Sequence, residues 1–342
     1  MAAAHRGPWR GAGSSFRPPI SADREVFYLM RLTARFLALF LSALLLLSAA
    51  HAEQAADQKL LETYKAGLTL GPEETLIDPK YPIPDYVLWL LDTARGEIGY
   101  VEERSGVTKY GTWAGYPAAE WCAEFQCWCV SRVDKQYGTK LLTRVYPNYS
   151  GTNVGRDWFI GQGRYISRTG TLPGYGSQWW KDGMTPVAAN SYIPQPGDWV
   201  FLTDNASGDT SHVAMVEYCA YDANGNIRLH VIEGNNVTKP APQGVERNDY
   251  AIDYWRILGY GTVYDLADMA LKFGHSGPKV VALQEELVQA GLLEARYTTG
   301  KFGAITQECI KTVQRQAGIQ ETGIANLETR QALRQMIENK QP

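Results

Sequence analysis

The chain has no excess of charge of one sign. Its 33 Lys and Arg face 36 Asp and Glu, which removes the basic stripe a nucleic-acid binder needs to neutralise phosphates. Cysteine is scarce. Five in 342 residues is too few for a disulfide framework, and an odd count leaves at least one thiol over. No apolar run reaches the roughly 20 residues of a membrane-spanning helix. The uncharged run from Phe36 to Ala50 stops at fifteen. Histidine is as rare as cysteine, and only His212, His230 and His275 lie beyond residue 52. A general base therefore has few places to come from.

Arg31 and Arg35 precede the apolar run, and Ala50-His51-Ala52 follows it before Glu53. A basic flank, an apolar core and a small-x-small site read as a secretory signal cleaved after Ala52. On this reading residues 1–29 are an upstream extension and Met30 is the start. No Cys follows the run to carry a lipid. The mature protein is then exported, to the periplasm or to the cell wall and extracellular space, with no stable membrane anchor. Cleavage removes six basic and two acidic residues, leaving 27 against 34 and a net charge near −7.

The remaining chain divides by texture. Residues 53–85 are polar and then Pro-rich ("IDPKYPIPDY"), an arm leading into a folded domain at 86–264. Val87, Leu90, Leu91 and Ala94 repeat at helical spacing, whereas 133–192 is rich in Gly, Tyr and Trp with weak periodicity, as expected of long loops and short elements. After a linker at 265–275, residues 276–342 read as three short helices. Their stripes are Val280, Leu283 and Leu287, then Cys309, Val313 and Ala317, then Leu333, Met336 and Ile337. "TGKFGAIT" (299–306) and "TGIANLET" (322–329) repeat with an offset of 23, which aligns Gly300 with Gly323, Thr306 with Thr329 and Ile310 with Leu333. A repeated turn-then-helix unit closes one small helical core.

"AEWCAEFQCWCVSR" (119–132) holds three of the cysteines in eight positions. Their C-x4-C-x-C spacing differs from the paired knuckles of structural zinc sites, and no second Cys/His cluster exists, so no metal is expected. On a helix Cys122 and Cys129 share a face but stand about 10.5 Å apart, beyond the roughly 7 Å limit for a bridge. A bridge from Cys127 or Cys129 to Cys219 stays open. The third reading is a nucleophile: a Cys at a helix N-terminus gains thiolate character from the helix dipole and a neighbouring imidazolium.

The base for such a thiol comes from "SHVAMVEYCAYDANGNIRLHVIEGNN" (211–236). Asn224-Gly225 between two strand-like runs predicts a two-residue hairpin turn that pairs Ala223 with Asn226. In that register Ala214 stands opposite Asn235 and Val216 opposite Glu233. Asn235 is then the diagonal neighbour of His212, and Glu233 lies one step further along the same face. His230 pairs with Cys219 on the other face, and Asn236 points away. His212 thus meets one Glu and one Asn as orienting partners, while His275 falls in the linker. "DANGN" followed by Glu233 imitates a calcium loop, but the Gly required at the sixth position is at the fourth.

Over 86–262 the motifs "EIGYVEE", "TKYGTWAG", "WCAEFQCWC", "PQPGDWVFL", "SHVAMVE" and "VIEGNN" resemble, in order, a CHAP domain. This is the cysteine, histidine-dependent amidohydrolase/peptidase branch of the papain-like fold, related to the NlpC/P60 hydrolases. The resemblance implies an α+β fold with an N-terminal helix packed on an antiparallel sheet. It also implies Cys122 as nucleophile, His212 as base and then acid, and Glu233 and Asn235 as orienting groups. The family pattern favours Glu233 for that last role and the hairpin register favours Asn235. Tyr110 falls where related enzymes place an oxyanion-stabilising tyrosine, and the Cys122 N–H is the other expected oxyanion donor. "GPKVVALQEELVQAGLL", "GKFGAIT", "VQRQAGI" and "TG…LETRQAL" resemble a type 1 peptidoglycan-binding domain, with Thr299 where that family often has Asp.

Together these imply an exported hydrolase that cuts an amide of peptidoglycan, as a muramoyl-alanine amidase or as an endopeptidase of the stem peptide or cross-bridge. Its partners are the glycan strand and stem peptide, and it needs no cofactor. The alternative is a catalytically degenerate wall-binding protein. Cys127, Cys129 and Cys309 read as buried small hydrophobes, and the pairs Trp121/Trp128 and Trp179/Trp180 as core or glycan groove.

Overall fold

A computed structural model describes residues 51–340 except 53, 105, 173–175, 179–185, 206, 237–241, 265–269 and 277. The expected signal lies outside the described residues apart from 51 and 52, as do Trp179, Trp180 and part of the expected linker. The chain divides into two compact units, Met1–Lys59 and Leu60–Pro342. In the first, residues 54–59 are helical. The second holds two hydrophobic cores, one built from residues 64–264 and one from 271–333. Among the described residues no helix is long and apolar enough to cross a membrane.

Residues 60–66 are helical (α1), and Tyr64 of this helix is buried and donates its hydroxyl to the Glu217 carbonyl at 2.9 Å. Strand β1 (Thr75–Leu76) then pairs with a central strand. Much of the segment read as an arm is therefore part of the domain. Its anchors Leu60, Leu61, Tyr64 and Leu68 stand at helical spacing, whereas Leu76 and Ile83 follow at intervals too wide to show a period.

The helices follow their sequence signals. Helix α2 (Asp85–Arg95) buries Val87, Leu90, Leu91 and Ala94 as the spacing predicts. Helix α3 (Lys109–Ala114) starts on the Thr108 side chain, which accepts the Gly111 N–H, and ends on left-handed Gly115. Helix α4 (Cys122–Tyr137) ends on left-handed Gly138, and α5 (Thr152–Gly161) follows.

The main sheet takes up β2 (Tyr165–Ser167), β5 (Trp199–Leu202), β6 (His212–Tyr221), β7 (Ile227–Gly234), β8 (Val245–Ala251) and β9 (Ile257–Gly261). Their order is β2-β9-β5-β6-β7-β8, every pair antiparallel, with β1 added to β6. The short strands β3 (Thr171–Leu172) and β4 (Gly176–Ser177) pair separately. Helix α4 packs on β6 and β7, which gives the α+β arrangement expected of a helix laid on an antiparallel sheet.

The β6–β7 register departs from expectation in two places. Tyr221 pairs with Ile227 and the Asp222 N–H donates to Asn226 O, so the turn spans 223–225, with Gly225 at φ 80° and the Asp222 carboxylate accepting the N–H groups of Asn224 and Asn226. A three-residue turn with a glycine bulge replaces the two-residue turn. A second bulge at Glu217 shifts the register again, so that Met215 faces Ile232 and Val216 faces Val231. Each change moves the pairing by one residue. Together they slide β7 by two residues along the start of β6, which keeps His212 and Glu233 on one face, while the single displacement between them makes Tyr218 and Cys219 exchange faces. His230 consequently pairs with Tyr218 and stacks on it at 4.1 Å, in place of the expected Cys219. The bulged Glu217 is fully buried and held by Arg95 Nε at 2.7 Å and Arg247 Nε at 2.8 Å. These partners keep its carboxyl below the usual range, although burial alone would raise it.

The second core is formed by helices α6 (Pro278–Gln289), α7 (Ala304–Ala317) and α8 (Leu327–Glu338), three as the sequence predicts. On α7 the buried stripe runs through Ile310 and Val313, with Cys309 partly buried and Ala317 exposed, so the expected stripe was one residue out of phase. The internal repeat has a physical cause. Gln284 Oε1 accepts the Gly300 N–H at 2.9 Å while its Nε2 donates to Lys301 O and Thr306 Oγ1. Gln314 does the same for Gly323 N–H at 2.9 Å, Ile324 O and Thr329 Oγ1. One buried amide closes each turn, and both glycines sit at φ 70°, where an L side chain would be strained.

Candidate active site

Cys122 is the first residue of α4 and 5% exposed. It is placed there by Trp121, whose ring lies so close to Gly234 of β7 that a Cβ at that glycine would come within 2.4 Å of it. The Trp121 indole also donates to Glu102 Oε2 at 3.3 Å, and Glu102 in turn accepts the N–H groups of Gly106 and Gln243. The glycine of "VIEGNN" is thus the seat on which the start of α4 rests. First-turn N–H groups lack intrahelical partners, so this end of α4 is the positive pole of its dipole.

His212 opens β6 and Glu233 sits near the end of β7, both buried. Extending the observed register puts Glu233 opposite Ala214 and diagonal to His212. His212 Nε2 lies 3.0 Å from Glu233 Oε2, and Cys122 is close enough to the same ring to raise its pKa. With Glu233 ionised, Nε2 carries the proton it donates, and Nδ1 is the nitrogen left to accept one. Burial alone would lower the His212 pKa, but its bonds to Cys122 and Glu233 outweigh that and raise it to about 10. Burial alone would raise Glu233, yet His212, Asn248 and Asn236 bring it down to about 2. Both shifts favour an imidazolium beside a carboxylate.

Three of the five expected residues, Cys122, His212 and Glu233, are therefore brought together. Asn235 is not. The strand ends at Gly234, Asn235 turns to φ 59°, and its amide donates to Glu120. The hairpin register that favoured it over Glu233 is corrected by the two bulges. Tyr110 also stands apart from an oxyanion role. It is fully buried against Trp121, Phe125 and Trp128, and its hydroxyl is committed to Glu97 Oε2 at 2.6 Å. Burial, then Glu97, raises its pKa further. Trp121 is likewise core, with no exposed face for a glycan.

Three further residues complete the surroundings of Glu233. Asn236, expected to point away, donates to Oε1 at 2.6 Å, Asn248 donates to it at 3.0 Å, and Tyr250 donates to Oε2 at 2.9 Å. Asn248 and Tyr250 lie on β8, and only the pairing of β8 with β7 brings them there.

All five cysteines are unbridged. Cys127 is buried, its Sγ donating to Pro147 O and Tyr149 O, and burial pushes its thiol up to about 12. Burial likewise raises Cys129 and Cys219, so these thiols are poor nucleophiles.

In comparison with known proteins, residues 276–333 match the family model described as "Putative peptidoglycan binding domain". Comparison with curated proteins gives no match. A solved structure titled "The crystal structure of Ly7917" is similar at 17% identity over 51% of this chain, with a TM-score of 0.26. The match spans 61% of that structure's chain, less than two thirds of its length. Residues 276–333 are thus a type 1 peptidoglycan-binding domain, which supports a cell-wall-associated protein with peptidoglycan as its partner.

Proposed function

We propose that the protein is an exported peptidoglycan hydrolase whose residues 86–264 form a papain-like, CHAP-type domain cutting an amide bond through Cys122. The observation that carries this reading is the buried His212–Glu233 hydrogen bond at 3.0 Å, with Cys122 at a helix N-terminus close enough to raise the His212 pKa. His212 takes the thiol proton, and the Cys122 sulfur attacks the amide carbonyl carbon. The carbonyl π electrons move onto oxygen, and the first-turn N–H groups of α4 receive that oxyanion. His212 then gives its proton to the leaving nitrogen as the C–N bond breaks, which leaves a thioester and a free amine. Water attacks the thioester while His212 accepts its proton, the C–S bond breaks, and a carboxylic acid departs. Glu233 holds the imidazolium through both halves.

The peptidoglycan-binding domain keeps the catalytic domain at its polymer and raises the local substrate concentration. The test is solubilisation of purified peptidoglycan by the mature protein and by Cys122→Ser, with mass analysis of the fragments. Loss on the order of 10⁴-fold is expected for the variant. Equal solubilisation by both would sink the thiol mechanism, and new reducing ends without a freed amine would indicate a glycosidase. Wall binding without solubilisation by either protein would indicate a degenerate binding protein. A freed lactyl group names the amidase, and a cut stem peptide the endopeptidase.

A further inference from the structure

We infer that Tyr250, seconded by Asn248 on the same strand, is a positioning residue that keeps the Glu233 carboxylate ionised and aimed at His212. The inference rests on the reading of Cys122 and His212 as a catalytic pair and adds to it a group from outside the expected motifs.

The direction of the Tyr250 proton is set by what surrounds it. Its oxygen is approached by the Asn248 amide at 3.1 Å and the Asn236 amide at 3.5 Å, both of which only donate at nitrogen. The hydroxyl proton is left to point at the carboxylate, 2.9 Å from Oε2 and 3.2 Å from Oε1. Oε2 therefore receives two donors, His212 and Tyr250, and Oε1 receives the amides of Asn236 and Asn248. A carboxylate fully out of solvent needs such donors to remain charged. The Tyr250 ring is itself fixed by stacking on Tyr254 at 5.5 Å and 7°. The other titratable groups near Glu233 are His212 on β6, Cys122 beyond it on α4, and Glu246 at the cross-strand position on β8. Tyr250 has its pKa raised, first by burial and then by the Glu233 charge, so it stays a donor.

Tyr250→Phe removes the donor and keeps the ring. Tyr254→Phe removes a hydroxyl from the same stack with no bond to Glu233 and serves as the control. Two readouts are made on full-length protein carrying Cys309→Ser, because Cys309 is the partly exposed thiol among the five. The first is the carboxyl ¹³C shift of Glu233 against pH, and the second is the rate of Cys122 alkylation by iodoacetamide against pH. Tyr250→Phe is expected to move the Glu233 titration, and the acid limb of alkylation with it, upward by about one pH unit, a tenfold change in proton affinity. The kcat for peptidoglycan should fall roughly tenfold with KM unchanged. Tyr254→Phe should superimpose on the parent in both readouts. A variant whose carboxyl and alkylation profiles match the parent overturns the inference, as does a carboxyl shift without a change in alkylation. If both profiles shift but the parent protein cuts no peptidoglycan, the proposed hydrolysis fails while the positioning role stands.

Discussion

The two cores of this protein bury polar groups in opposite ways. The helical core uses neutral amides: Gln284 and Gln314 each close one turn with partners a few residues from a repeated glycine, and every donor meets a backbone or hydroxyl oxygen. The sheet domain buries charge instead. Glu217 and Glu233 are fully removed from solvent and His212 nearly so, each held by residues from two or more separate elements. Burying a charge costs several kcal/mol before its partners compensate, and an uncharged core would fold without that cost. The difference separates a region whose buried polar groups close its own turns from one that holds charged groups in a fixed arrangement, as the proposed reaction would require.

The largest effect should come from neutralising the buried carboxylate. Glu233→Gln leaves His212 without an anion and is expected to reduce peptidoglycan solubilisation by about 10³- to 10⁴-fold. Binding of the same variant to insoluble peptidoglycan should be unchanged, since residues 276–333 form a separate core. Pull-down and turbidity assays on one preparation measure both. A variant that lost binding along with cleavage would break the comparison.

Gln314→Ala should do the reverse. It strips the Gly323 N–H of its partner, at about 1–3 kcal/mol for a group left buried and unpaired, while Ile324 O keeps the Asn326 N–H and Thr329 Oγ1 keeps Asn326 Oδ1. Denaturant unfolding followed by far-UV circular dichroism should show a loss of roughly 1–3 kcal/mol for the helical core. Cleavage of soluble wall fragments should stay within about twofold of the parent.

The smallest effect is a pH dependence where the helical core meets the sheet domain. His275 is buried, and burial, then Lys272, lowers its pKa to about 4. It accepts the Lys272 N–H at Nδ1, which requires the neutral ring. Its folded pKa lies below the unfolded 6.5, so stability is present above 6.5 and is lost as pH falls toward 4. The His212–Glu233 pair behaves differently. Stability from His212 is fully present below 6.5 and lost as pH rises through about 10. Stability from Glu233 is present above 4.5 and lost as pH falls through about 2. Urea unfolding between pH 6.5 and 5 should therefore show a decline of at most about 2 kcal/mol that His275→Gln removes. A decline that persists in His275→Gln would assign it to another group.

How much was legible from sequence follows the same division. The helical core was readable because its determinants are local: a glycine with positive φ, a threonine six residues on, and an apolar residue every third or fourth position. Only the phase of α7 was misjudged, by one residue. At the candidate site, Cys122, His212 and Glu233 came from motif order, and which partner His212 would take was left between Glu233 and Asn235. The two bulges that settle its position cannot be seen in a pattern with period two, because β6 is buried on both faces from His212 to Ala220 and has no alternation for a bulge to interrupt. Tyr110 looked functional because of its distance from Cys122 along the chain, while in space its hydroxyl is spent on Glu97.

By itself the sequence determined the α+β class, the three C-terminal helices, the repeat that closes their turns, and the residue types gathered at the site. Periodicity, glycine and turn chemistry act within a few residues and leave a local trace. Only the tertiary structure decided that Glu233 and not Asn235 faces His212, that Asn236, Asn248 and Tyr250 surround that carboxylate, and that residues 60–83 belong to the core. Those outcomes depend on strand register and on contacts between segments far apart in the chain. A shift of one residue on β6 moves every partner on β7, and no single strand records it.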